Sequence, residues 1–136
     1  MAVVKELLRA EDNGCVSFGD YSLSTKSKLE DFKHGDDVLK VKTFSEITRL
    51  EKNGLVLYES VPGTAVNNFC DADGCVSFTV EGPDDAQITL GLVADTEYDV
   101  IVGGADAGKM KTNLGGKLAL SVELQGAGEV KVEIKK

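Results

Sequence analysis

The sequence predicts an all-β protein, and three features carry that prediction. Glycine is abundant at 15 residues and proline scarce at 2. Val, Ile, Thr, Tyr and Phe fall in short runs bounded by Gly, Asn and Asp, the composition of strands joined by tight turns. Several runs alternate between apolar and polar residues, so one face packs while the other meets water. With 42% hydrophobic content, 136 residues supply one ordinary core or two very small ones, built as a sandwich or a barrel-like fold.

The elements follow in order. Val3-Val-Lys-Glu-Leu-Leu8 reads as a first strand, and the acidic turn Glu11-Asp-Asn-Gly14 leads into Gly14-Cys-Val-Ser-Phe18. His34-Gly-Asp-Asp37 is a further turn. Ser45-Glu-Ile-Thr-Arg-Leu-Glu-Lys52 is either an irregular strand or a helical turn that Ser45 would N-cap and Asn53-Gly54 would end. Leu55-Val-Leu-Tyr-Glu-Ser60 and Lys117-Leu-Ala-Leu-Ser-Val-Glu-Leu124 alternate as half-buried strands, with turns at Asp71-Ala-Asp-Gly74, Ala94-Asp-Thr-Glu97 and Gly115-Gly116 between them. Val130, Val132 and Ile134 on one side and Lys131, Glu133 and Lys135 on the other make the most regular strand of all.

Self-comparison predicts an internal duplication. Gly14-Cys-Val-Ser-Phe18 recurs as Gly74-Cys-Val-Ser-Phe78, each copy behind an acidic turn. At the same offset Asp37–Lys42 meets Glu97–Val102, and with a small shift Lys52–Ser60 lies over Leu114–Val122. Two tandem β units are expected, residues 1–62 and residues 63–136 with an extra C-terminal strand. A unit of that size buries only about 60% of its unfolded surface, so the two should share a core or pack closely.

Charge narrows the function. Fifteen Lys+Arg against 23 Asp+Glu leave a formal net charge of −8, which repels nucleic acid and anionic membranes on average. No apolar run reaches the roughly 18–20 residues of a membrane span, and the charged opening does not read as a signal peptide, so a cytoplasmic chain with reduced thiols is expected. Cys15, Cys70 and Cys75 are odd in number; Cys70 and Cys75 flank a turn and could form a disulfide across a hairpin in an oxidising compartment, but buried free cysteines on strands are the expectation.

Each candidate chemistry lacks a component. His34 is the sole histidine and sits in a turn, leaving Ser-His-Asp or Cys-His catalysis without a placed base and zinc without ligands. Gly103-Gly-Ala-Asp-Ala-Gly-Lys109 fits the phosphate-loop pattern, but Met110 replaces the magnesium-binding hydroxyl and no helix can follow, so a strand-to-strand loop is expected. Asp36-Asp37, Asp71 with Asp73, Asp84-Asp85 and Asp95 with Glu97 read as surface turns, because a calcium loop needs a third acid and a bidentate Glu. No catalytic, cofactor-binding or metal-binding residue is assigned.

Over Gln87-Ile-Thr-Leu-Gly-Leu-Val-Ala-Asp-Thr-Glu-Tyr-Asp-Val-Ile-Val102 and Gly116–Leu124 the chain resembles the immunoglobulin-like or fibronectin-III-like accessory modules of carbohydrate-active enzymes. Through Lys42-Thr-Phe-Ser-Glu-Ile-Thr-Arg-Leu-Glu-Lys-Asn-Gly54, Tyr58-Glu-Ser-Val-Pro-Gly-Thr64 and Lys111-Thr-Asn-Leu-Gly-Gly-Lys117 it also resembles short bacterial proteins labelled endosialidase. With Arg9 and Arg49 its only arginines and no Trp, no sialidase catalytic residue carries over. The expectation is a non-catalytic binding or self-assembly module, with a protein or carbohydrate partner or a homo-oligomer formed through the terminal strand edges. The alternative is a carbohydrate-active, endosialidase-like enzyme or its accessory subunit.

Overall fold

The computed structural model describes residues 3–72 and 75–136, and all the regular secondary structure in them is strand. The strands are β1 (Leu8–Ala10), β2 (Val16–Phe18), β3 (Ser27–His34), β4 (Asp37–Phe44), β5 (Ile47–Lys52), β6 (Leu55–Val61), β7 (Ala65–Ala72), β8 (Cys75–Glu81), β9 (Ala86–Gly91), β10 (Glu97–Val102), β11 (Ala105–Lys111), β12 (Lys117–Val122) and β13 (Val130–Lys135). They form a seven-stranded sheet in the order β1-β2-β7-β8-β13-β10-β11 and a six-stranded sheet in the order β12-β9-β6-β5-β4-β3. All pairings are antiparallel, and the inner faces share one core. No helix in the described residues is long and apolar enough to cross a membrane.

Alternation explains the layers. On β4, Leu39, Val41 and Thr43 are buried while Val38, Lys40, Lys42 and Phe44 point away. At the core centre Phe18, Tyr58, Phe69 and Phe78 meet with ring centroids 5.2 to 6.2 Å apart, mostly edge to face. Within Ser45–Lys52, Ser45 and Glu46 make a turn and Ile47–Lys52 is a strand rather than a helical turn: β5 turns Thr48 and Leu50 inward and pairs with β4 and β6 on its two sides. Asn53 and Gly54 take φ of 52° and 84°, the two positive values that a tight hairpin turn between β5 and β6 requires.

A chain of buried hydroxyls fastens the β6–β7 connection. Tyr58 Oη and Ser60 Oγ each lie 2.8 Å from Thr64 Oγ1. Thr48 Oγ1 donates to the Thr64 carbonyl at 2.8 Å and accepts the Thr64 N–H at 3.0 Å. Thr43 Oγ1 lies 2.8 Å from Thr48 Oγ1 and accepts the Asp20 N–H at 2.9 Å. Burial pushes the Tyr58 phenol well above its ordinary pKa. Beside Thr64, a Cβ on Gly63 would stand 2.0 Å from the Phe44 carbonyl oxygen, so only glycine lets the chain pass there.

Four expectations change. Val16–Phe18 and Val76–Phe78 of the two pentapeptides lie in β2 and β8, on the two sides of β7, with Phe18 and Phe78 buried; Asp73 and Gly74 lie outside the described residues. Farther along, Asp37–Lys42 lies on the six-stranded sheet and Glu97–Val102 on the seven-stranded one, so the internal duplication is not confirmed. Residues 1–62 and 63–136 each supply strands to both sheets.

The C-terminal strand is not an edge. β13 lies between β8 and β10 with Val132 and Ile134 buried, because alternation reports one buried face and says nothing of which neighbours flank it. The first strand is shorter than Val3–Leu8: Val4 is buried and Leu7 takes a φ of 74°, which breaks the extended run before β1. The sheet edges are β1, β11, β12 and β3.

The cysteines are not all reduced, and Cys70 does not pair with Cys75. Cys15 and Cys70 form a disulfide with Cα atoms 4.7 Å apart, because β2 lies beside β7, with Val16 opposite Phe69. Cys75 is opposite Ala72 and keeps an exposed free thiol.

Candidate interaction face

The outer face of the six-stranded sheet carries an arrangement that the sequence reading missed. Phe44 pairs with Ile47 across the short β4–β5 turn, and that register carries through both strands. It places Lys28 of β3 opposite Lys42 of β4, Lys42 opposite Arg49 of β5, and Arg49 opposite Glu59 of β6. Like charges directly opposed across strands are destabilising.

Partial relief comes from Glu59, 2.5 Å from Arg49, and from Glu30, 3.5 Å from Lys40. Lys26, Lys28 and Lys42 have no carboxylate within ion-pairing distance among the described residues. Burial, and then the charges of Arg49, Lys26, Lys28 and Lys40, hold the Lys42 ammonium below its ordinary pKa. One step along the strands, Phe44, Ile47 and the 53% exposed Val61 add an apolar row beside the cations. The signal was present in the sequence: Lys40, Lys42 and Arg49 occupy polar positions of two alternating runs joined by a short turn.

Concavities are shallow and open. A hollow of about 410 Å³ lies on the same face where Asp31, at a φ of 55°, bulges β3; Glu30, Lys40, Glu51 and Asn53 line it. A second, of about 330 Å³, sits where Leu55, Leu57, Leu92 and Lys117 meet at the strand ends. Among the described residues no three His, Cys, Asp or Glu side chains converge as a metal site would need.

The residues singled out from the sequence are dispersed. His34 closes β3 opposite Asp37. The Asn53 side chain donates to Asp37 at 2.9 Å and lowers its carboxyl pKa, with Lys52 at 3.6 Å and His34 adding to the effect. Gly103–Lys109 is a hairpin: Gly103 and Gly104, both at positive φ, connect β10 to β11, and no helix follows. Lys109 is engaged by Asp99 at 3.4 Å and Glu97 at 3.9 Å. Asp85 Oδ1 accepts the N–H groups of Leu124 at 3.0 Å and Gln125 at 3.1 Å, and Asp95 pairs with Lys111 at 3.1 Å. Asp73 lies outside the described residues.

Buried Ser17 donates to Glu11, which also accepts from Arg9 Nη2 at 3.0 Å, and Ser17 Oγ accepts the Asn68 N–H at 3.0 Å. The cluster fastens the β1–β2 edge to β7. Comparison with protein-family models, with curated proteins and with solved structures returns no match to the chain.

Proposed function

We propose that the chain is a non-catalytic β-sandwich module for binding or self-assembly. The supporting observation is the row Lys28, Lys42 and Arg49, a charge arrangement on an open face that Glu59, paired with Arg49, compensates only in part. Two antiparallel sheets over one core are also the architecture of the immunoglobulin-like accessory modules that the second half resembles. The Cys15–Cys70 disulfide favours a non-reducing compartment over the cytoplasm, where both thiols would be kept reduced.

Self-assembly moves from the C-terminal strand to β11, an edge strand whose side chains are exposed apart from Met110. An edge of that kind is a template for a strand from a second copy. Sedimentation over a micromolar concentration series tests this limb: mass rising with concentration supports it, and a monomer throughout leaves the module as a binder of other molecules. Incubation with acidic and neutral oligosaccharides tests the non-catalytic reading. No hydrolysis is expected, and sustained turnover that scales with protein concentration would overturn it in favour of a carbohydrate-active enzyme.

A further inference from the structure

Edge strands often carry lysine to discourage pairing, which accounts for Lys28 and Lys33 on β3 and Lys26 beside it. It does not account for Lys42 and Arg49, on interior strands β4 and β5. The chain's charge is segregated as well. Residues 26–52 hold seven of its 15 cations, whereas residues 53–108 hold none. Neighbouring strands stand about 4.8 Å apart, and screening at physiological ionic strength acts over about 8 Å. A ligand at this face therefore feels its cations, and the Glu30, Glu51 and Glu59 carboxylates among them, more than the distant acids behind the net charge of −8.

We propose that this face docks an acidic segment of a partner protein, with carboxylates against Lys28, Lys42 and Arg49 and apolar side chains over Phe44, Ile47 and Val61. The proposal rests on the binding-module reading and names its partner. The open face suits an extended chain rather than a small molecule that needs enclosure. Phe44 is the ring beside the cation row, which is poor provision for the aromatic platforms on which bases stack. Glu30, Glu51 and Glu59, interleaved with the cations, oppose a dense run of phosphates but leave room for spaced carboxylates. An apolar row at the flank matches a peptide that alternates acidic with apolar residues, since side chains two apart on an extended chain share a face.

The test is a titration of the isotope-labelled full chain, followed by amide NMR, with a short peptide alternating glutamate and leucine. Heparin and polygalacturonate are titrated in parallel. Saturable shifts confined to β3, β4, β5 and β6 are expected, with binding weakened by salt. Lys28→Glu and Lys42→Glu should each weaken binding about tenfold or more, while Lys109→Glu on the opposite sheet leaves it unchanged. Lys28→Gln and Lys42→Gln serve if a charge reversal prevents folding, and a smaller loss than from reversal is expected of them.

No saturable shift, or equal weakening by Lys109→Glu, would overturn the proposal. Tighter binding of heparin or polygalacturonate at this face would overturn the partner's chemistry and replace it with a polysaccharide. Peptide shifts mapping elsewhere remove this face but leave the binding-module reading intact. Oligosaccharide turnover without peptide binding removes both.

Discussion

The outer faces of the two sheets use the same residue types in opposite ways. On the seven-stranded sheet, Lys109 and Lys111 lie within 3.4 Å of Asp99 and 3.1 Å of Asp95, and the register also places Lys135 opposite Asp99. On the six-stranded sheet the register places Lys28 opposite Lys42 and Lys42 opposite Arg49. Neither register can adjust. A one-residue slip of β4 would turn Leu39, Val41 and Thr43 out of the core. The first face is arranged for the isolated protein, whereas the second retains like-charge crowding that folding alone does not need. The docking proposal starts from that local departure from good pairing.

The sheets also differ in how they are fastened, and this gives the largest expected effect. Cys15–Cys70 ties β2 to β7 across a sequence separation of 55. Chain-entropy reasoning assigns a loop of that size about 4 kcal/mol. Reduction, or Cys15→Ser, should lower the thermal midpoint by roughly 10–15 °C and loosen the β1–β2–β7 edge first. Hydrogen exchange would show this as early loss of protection at that edge while β4 and β5 stay protected. Uniform loss of protection would show that the two sheets do not differ in this respect.

The six-stranded side depends on the hydroxyl chain through Thr64. Thr64→Val removes the partner of Tyr58 Oη and Ser60 Oγ in a fully buried setting. Urea unfolding should show a loss of about 1–3 kcal/mol. Adding Tyr58→Phe should recover part of it, because a buried hydroxyl no longer lacks a partner. A double variant less stable by the sum of the two single losses would mean that the hydroxyls act independently.

Much of this architecture was legible before the fold was known. Alternation through Val38–Phe44 and the Asn53-Gly54 turn specify β4, β5 and β6 locally, and the short Ser45-Glu46 turn constrains the register that aligns Lys42 with Arg49. What escaped was non-local. Nothing in Gly14–Phe18 says that it lies beside Phe69, so the Cys15 partner could not be read, and Val130–Lys135 has the same pattern whether at an edge or inside a sheet. Of the pentapeptide repeat, Val16–Phe18 and Val76–Phe78 lie in β2 and β8 on the two sides of β7, and the internal duplication is not confirmed. The candidate face lay between these cases: its side-chain directions were readable, while the charge crowding appeared only once β3, β4 and β5 were adjacent.

The smallest expected effect sharpens the comparison most, because the two sheets respond to opposite ends of the pH scale. At the edge of the seven-stranded sheet, the hydrogen bond from Ser17, and then those from Arg9, hold the Glu11 carboxyl below its ordinary value of 4.5. A carboxylate with a depressed folded pKa contributes stability above its unfolded pKa and loses it as pH falls through the folded one. Glu11→Gln should therefore flatten the acid limb of the stability profile. On the six-stranded sheet, burial and neighbouring cations hold Lys42 below its ordinary 10.5. There the unfolded chain binds the proton more tightly, so the penalty is full at neutral pH and is relieved as pH rises through the folded value toward 10.5. Lys42→Met should raise stability at pH 7 by roughly 0.2–1 kcal/mol, a gain that shrinks at alkaline pH. Lys109→Met, which removes an exposed cation from two acids, should lower stability by up to about 1 kcal/mol. Urea midpoints across pH measure all three variants. Equal losses from the two lysine substitutions would mean that the outer faces are equivalent in the free protein, and the crowding at Lys42 would then need no ligand to explain it.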